Sequence, residues 1–183
     1  MPLLRDSSDP TADSSVRPAV PDDAVAIAGT QLRAWRTEHA EVLGQEVLDL
    51  IDAHAVRERW SEAISQAPSP AHHVLVACAG PRVVGVAAVV PTDLGDDGVG
   101  VEVAALEVDP DHRRAGHGSR LLAASVDLGR ADGAVLVSTW VLEGDEVRER
   151  FLAGAGLGPD GAQRVLAARP GREVVERRWV ALL

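Results

Sequence analysis

The sequence predicts an α/β domain with a mixed sheet, on three observations. Helical spacing runs from Pro21 to Gln66, short valine-rich stretches follow between turn residues, and strands and helices then alternate to the end. The order read from these signals is β-α-α-β-β-β-α-β-α-β-β. At 183 residues the chain suits one domain, assigned to residues 16–183.

Residues Met1 to Ser15 are polar, Ser- and Asp-rich and hold two prolines, so they read as a disordered tail. Val16 to Val20 forms a candidate first strand. Pro21-Asp22-Asp23 opens a helix with acids at its positive end. Val25, Ala28, Leu32, Trp35 and His39 follow on one helical face, where Trp35 reads as core in preference to a substrate contact. A second helical stretch runs from Gln45 to Gln66, broken near Asp52, a good N-cap, and stopped by Pro68-Ser69-Pro70.

His73–Cys78, Arg82–Val90 and Val99–Val108 then read as an antiparallel meander, with turns at Ala79-Gly80-Pro81 and around Gly95-Asp96-Asp97-Gly98. A helix is expected over Ser119–Arg130, a strand over Ala134–Val141, and a helix from Gly144-Asp145 to Gly154 or Gly156. Two last strands, Gln163–Ala168 and Glu173–Leu182, flank the turn Arg169-Pro170-Gly171.

Eighteen basic residues against 28 acidic ones give a net charge of -10, which argues against binding nucleic acid by phosphate neutralisation. It favours a cationic substrate mildly, but plain solubility is the preferred explanation. Without a signal pattern or a long apolar run, the expected location is cytoplasmic, away from membranes. Lone Cys78 alternates along an apolar strand and reads as packing, and His72-His73 lack partners at metal-ligand spacing, so no metal is expected. The chain contains no Lys, Asn or Tyr, a bias that fits a GC-rich, bacterial-type genome.

The most informative stretch is Leu106-Glu107-Val108-Asp109-Pro110-Asp111-His112-Arg113-Arg114-Ala115-Gly116-His117-Gly118-Ser119. A buried strand meets a proline stop, then a basic, glycine-spaced loop that opens into a helix. First-turn amides of such a helix lack internal partners and face outward at the positive end of its dipole. Gly116 and Gly118 clear the way for a phosphate, and Arg113 and Arg114 add charged donors. A tight strand-to-helix turn is the competing explanation. His117 either adds a donor or is solvated.

Arg113-x-x-Gly116-x-Gly118 after Leu106-x-Val108-x-Pro110 resembles the acyl-CoA signature of the GNAT superfamily of N-acetyltransferases. The resemblance extends to Val16-Arg17-Pro18-Ala19, to Trp140–Asp145 and to Arg150-Phe151-Leu152-x-x-x-Gly156-Leu157. It implies a mixed, mostly antiparallel sheet of six to seven strands with about four helices, and acetyl-CoA as acyl donor. Backbone amides from Arg114 through Ala115, Gly116, His117 and Gly118 to Ser119 would hold the pyrophosphate. Leu106-Glu107-Val108 would run along the pantetheine arm, with Leu106 and Val108 pairing to it through their backbones. Val108 would supply the oxyanion-stabilising amide, and Asp145 and Phe151 would lie beside the cofactor.

An amine acceptor needs a base, because only about one amine in a thousand is neutral at pH 7.4 when its pKa is near 10.4. Glu102 is the candidate, placed by even spacing on the face of Val108; the alternative is a surface or ion-paired side chain. Glu107, on the opposite face, is the weaker choice. Trp35, His39 and Trp140 are either acceptor-pocket walls or core.

Two departures from the family pattern stand out. Leu152 occupies the place of the usual thiolate-protonating Tyr, and Asp145 that of an Asn. The expected activity is therefore acetyl transfer to a primary amine on a small molecule or peptide, by a monomer or homodimer. The alternative is a catalytically reduced acyl-CoA sensor. The acceptor pocket is expected to draw on residues 30–65 and the turn near Pro170.

Overall fold

The computed structural model describes residues 14–169 and 172–183. Seven strands form one sheet: β1 (Ser14–Pro18), β2 (His73–Ala79), β3 (Arg82–Asp93), β4 (Val99–Val108), β5 (Leu136–Leu142), β6 (Gly158–Arg169) and β7 (Arg172–Leu182). Their spatial order is β1-β2-β3-β4-β5-β7-β6. Every neighbouring pair is antiparallel except β4 and β5.

The helices are α1 (Ala24–Glu38), α2 (Ala40–Leu43), α3 (Gln45–Asp49), α4 (Ala53–Ser65), α5 (His117–Ala131) and α6 (Glu146–Gly154). Four are the expected ones. Of the other two, both single turns, α2 precedes the expected second stretch and is ended by Gly44 at φ 86°, whereas α3 opens that stretch, which breaks near Asp52 as expected before α4. Asp52 caps α4 as expected, accepting from the His54 amide at 2.8 Å.

Ser14 and Ser15, assigned to the tail, belong to β1, whose partners are Ala79 and Cys78; residues 1–13 and the turn residues Pro170 and Gly171 lie outside the described residues. The strand also stops at Pro18, before Val20. Arg17 closes the junction with α1 by donating to both Asp23 oxygens, at 2.6 and 2.9 Å.

Alternation along β2 divides the core. Leu75 and Ala77 join Val101, Val103, Leu106, Leu121 and Leu122 beneath α5. Val76 and Cys78 join Ile27, Ala28 and Trp60 beneath α1 and α4. Val25 does not belong to the buried face of α1: it is 65% exposed, and Ile27, Ala28 and Leu32 turn inward instead.

One irregularity matters for the site. Ala88 pairs with Ala105, but Val89 pairs with Val103, so Ala104 is an extra residue in β4. Such a bulge reverses the alternation beyond it. Val101, Val103, Leu106 and Val108 therefore all face α5. Glu102 and Glu107 share the other face, opposite to Val108: this overturns the even-spacing placement of Glu102 beside Val108, while Glu107 lies opposite Val108 as expected.

Candidate active site

Beyond the bulge, the Asp109 amide donates to the Val84 carbonyl at 2.8 Å. In an antiparallel ladder the bonded pairs alternate, so Ala105 and Glu107 also turn their backbone toward β3. Leu106 and Val108 turn theirs the other way, toward β5. Parallel pairing with β5, however, ends at Glu102 and Ser138. The strands splay beyond it, bridged by the Thr139 hydroxyl donating to the Val103 carbonyl at 2.9 Å. The gap thus holds backbone groups that no strand pairs. One of them, the Leu106 carbonyl, accepts from Arg148 Nη1 at 2.9 Å.

The gap leads to the glycine loop. Arg114 (φ 62°) and Gly116 (φ 82°) are both left-handed. For a non-glycine residue that conformation costs on the order of 1–3 kcal/mol and is characteristic of ligand-binding loops. No side chain caps α5. Its first backbone bond runs from Arg120 N to Gly116 O at 3.1 Å, so the amides of His117, Gly118 and Ser119 precede the helical ladder. A Cβ on Gly118 would lie 3.7 Å from both Phe151 Cζ and Val108 Cγ2, so this glycine keeps open a slot between β4 and α6.

Two loop side chains differ from expectation. Arg113 turns back to pair with Glu38 at 2.6 Å, where it fastens the end of α1 and is not free for a phosphate. His117 is buried, only 3% exposed, and burial lowers its pKa. Arg114, Ala115, Gly116 and Ser119 are exposed.

On the far side of β4 lies a cavity of about 390 Å³. Trp35 and His39 come from α1, and Leu43, Val47 and Ile51 form an apolar roof. Glu102, Ala104 and Glu107 supply the floor. Thr139, Trp140, Val141 and Leu142 on β5 make one wall, with Asp145 and Arg148 beside them. Arg164, Leu166, Ala167, Val174 and Glu176 of the β6–β7 hairpin make another.

Each glutamate of the floor holds one tryptophan. Trp140 Nε1 donates to Glu102 Oε2 at 3.1 Å, and Trp35 Nε1 to Glu107 Oε1 at 3.2 Å. Trp35 is thus a cavity wall, not core. Arg164 is engaged twice, paired with Glu176 at 2.5 Å and stacked 4.4 Å from the Trp140 ring.

Glu107 is 7% exposed, its Oε2 has no hydrogen-bond partner, and Arg148 stands 3.9 Å away. Burial pushes its carboxyl up to about 7, with the Arg148 charge opposing and Glu38 adding to the rise. Burial lowers His39, which keeps the imidazole neutral near pH 7.

Asp145 caps α6 by accepting from the Arg148 amide at 3.0 Å, which serves an aspartate as well as an asparagine. Leu152 is fully buried. Among the described residues, no group of three potential ligands could hold a metal ion, and no helix is long and apolar enough to cross a membrane.

The model of the Acetyltransferase (GNAT) family matches residues 31–156, well over half of the chain. The chain belongs to this family. No curated protein matches it by sequence. Solved structures agree on the GNAT fold. The protein yncA from Salmonella typhimurium, solved with its cofactor acetyl-CoA, is 21% identical with a TM-score of 0.64, covering 93% of this chain and 94% of that one. The paia N-acetyltransferase from Thermoplasma acidophilum, in complex with coenzyme A, is 15% identical with a TM-score of 0.69, over 90% and 97%. A ribosomal-protein-alanine N-acetyltransferase from Brucella melitensis is 19% identical with a TM-score of 0.66, over 92% and 99%.

Sequence reasoning missed Arg148 and the hairpin residues Arg164 and Glu176. Residues 148 and 164 carry no motif, and only the folded chain brings them to β4. The preference for Glu102 over Glu107 rested on an unbroken strand. Nothing in Val103-Ala104-Ala105-Leu106 announces a bulge, since it contains neither Gly nor Pro.

Proposed function

We propose that this GNAT-family protein transfers the acetyl group of acetyl-CoA directly to a primary amine. The observation that carries the proposal is the continuity of three features: uncapped amides at α5, unpaired Leu106 and Val108 backbone, and a carboxylate-floored cavity across the same strand. The residues present fit the donor. An extended arm with amide groups can pair with Leu106 and Val108 as a strand would. Its pyrophosphate meets the amides from Arg114 to Ser119, and the slot beside Gly118 and Phe151 admits the rest. The relatives solved with acetyl-CoA and with coenzyme A support the same donor.

In this reading the Val108 amide donates to the thioester oxygen as negative charge develops there, worth about 2.7–4 kcal/mol. Glu107 takes the proton of the incoming ammonium. Its burial gives it a basicity near neutrality, and its Oε2 is free to accept. Glu102, held by Trp140, attracts and orients the cationic amine, whose substituents lie against Trp35 and the Leu43–Val47 roof. With no tyrosine in the chain and Leu152 buried, the thiolate leaves without a tyrosine acid.

Thermal unfolding with acetyl-CoA tests the donor site. At one hundred times its dissociation constant a specific ligand adds about 2.7 kcal/mol, or roughly 5–10 °C here. That shift, absent with adenosine, supports the site, whereas no shift up to millimolar concentration rejects it. The missing tyrosine also favours a second reading, an acyl-CoA sensor with little activity. Tight binding without transfer to any amine in a broad panel would select it.

A further inference from the structure

Arg148 stands between two acceptors and satisfies only one of them. Its guanidinium donates to the Leu106 carbonyl inside the splayed gap, at 2.9 Å. On its other side, 3.9 Å away, is Glu107 Oε2, a buried oxygen without a hydrogen-bond partner. A movement of about 1 Å would bring that pair to the length of a charge-assisted hydrogen bond. The Leu106 carbonyl is also one of the backbone groups that the donor's arm requires.

We propose that Arg148 is a positioning residue that couples the two sites: an arm pairing with Leu106 displaces its guanidinium onto Glu107 and thereby ionises the base. The inference rests on the cofactor placement given above. In this arrangement Arg148 occupies the arm's place and Glu107, with a carboxyl near 7, is only partly ionised at neutral pH. With ligand bound, the guanidinium has one good acceptor left, and a carboxylate beside it is favoured over a carboxylic acid. Donor binding thus completes the ionisation of the base.

Other charges facing Glu107 do not substitute for this one. Glu38 from α1 opposes ionisation, and Arg113 from the loop is already paired with Glu38. His39 on α1 is kept neutral by burial, Asp145 caps α6, and Glu102 on the same strand is itself acidic. Trp35 donates to the other oxygen of Glu107 in either state.

That indole is also a reporter. The Trp35 indole N–H resonance, identified by its loss in Trp35→Phe, is followed against pH in the full chain with and without saturating coenzyme A. Binding is established first by calorimetry. Coenzyme A is expected to lower the inflection by about 1–3 pH units, the usual effect of an adjacent opposite charge. In Arg148→Met the inflection should stand at the same pH with and without coenzyme A. Arg148→Lys, a milder change should the first variant not fold, should retain only part of the displacement.

An unchanged inflection in the coenzyme A-bound parent chain overturns the coupling, and so does an undiminished displacement in the variants. Absence of calorimetric binding to the parent chain is a different failure, since it rejects the cofactor site itself and the coupling with it.

Discussion

The glycine loop and the cavity meet at the end of β4 and are made of different material. From Arg114 to Ser119 the loop offers backbone amides, set by two left-handed residues and by the uncapped start of α5. The cavity offers side chains, brought from α1, the α2–α3 turns, β4, β5, α6 and the β6–β7 hairpin. A backbone site depends on chain path and tolerates changes of residue, provided the glycines remain. A side-chain site changes its chemistry with any one of several distant substitutions. The first suits a donor common to a family, and the second an acceptor particular to one member.

The strongest way to separate the two regions is Glu107→Gln. Turnover should fall by about 10²–10⁴-fold, with coenzyme A still binding and weakened only by the lost coupling through Arg148, and the acid limb of the pH–rate profile should disappear. Glu102→Gln should act more weakly, raising KM for the amine about tenfold through a lost charge-assisted contact. Should the glutamine at 102 prove the more damaging to turnover, the roles of the two carboxylates are reversed.

Glu107 also carries a stability signature. Its folded value, about 7, lies above the ordinary 4.5, so the folded chain binds the proton more tightly. The associated stability is fully present below about pH 4.5 and is lost as pH rises to about 7, up to roughly 3 kcal/mol. Denaturant unfolding of Glu107→Gln relative to the parent chain should show that part of the pH dependence removed.

Gly118→Val tests the loop. The first added carbon has room, 3.7 Å from Phe151 and Val108, so the fold should persist. The branched methyls then fill the slot between β4 and α6. Coenzyme A affinity should drop roughly 100-fold or more, as two charge-assisted hydrogen bonds at about 1.5–3 kcal/mol each are lost. Retained affinity would move the donor away from the slot.

The same contrast explains what could be read from the sequence. Hydrophobic spacing, turns and caps are local, and they located the meander, α1, α5, α6 and the Asp52 and Asp145 caps. The loop was readable for the same reason, since Gly116 and Gly118 act through their own backbone. Trp35 against Glu107, or Arg148 against Leu106, joins residues 72 and 42 positions apart, and no short-range pattern records such contacts. The bulge at Ala104 is the costliest omission. One unmarked residue shifted the phase of β4 and put Glu102 on the face of Glu107 instead of that of Val108.

The finest test lies inside the cavity, in Trp35→Phe. The substitution keeps an aromatic wall and removes the N–H that reaches Glu107 Oε1. Both oxygens of a buried carboxyl then lack a neutral donor, so its ionised form loses support worth about 0.5–1.5 kcal/mol. The acid limb of the rate profile should move up by about 0.4–1.1 pH units. Stability should fall mainly above pH 7, where Glu107 is ionised, and less near pH 4, where only packing differs. An equal loss at both would mean that Trp35 contributes bulk alone. Coenzyme A affinity should respond only a few-fold near neutral pH, through Glu107 alone, because in this reading the phosphate is held by loop backbone that Trp35 never touches.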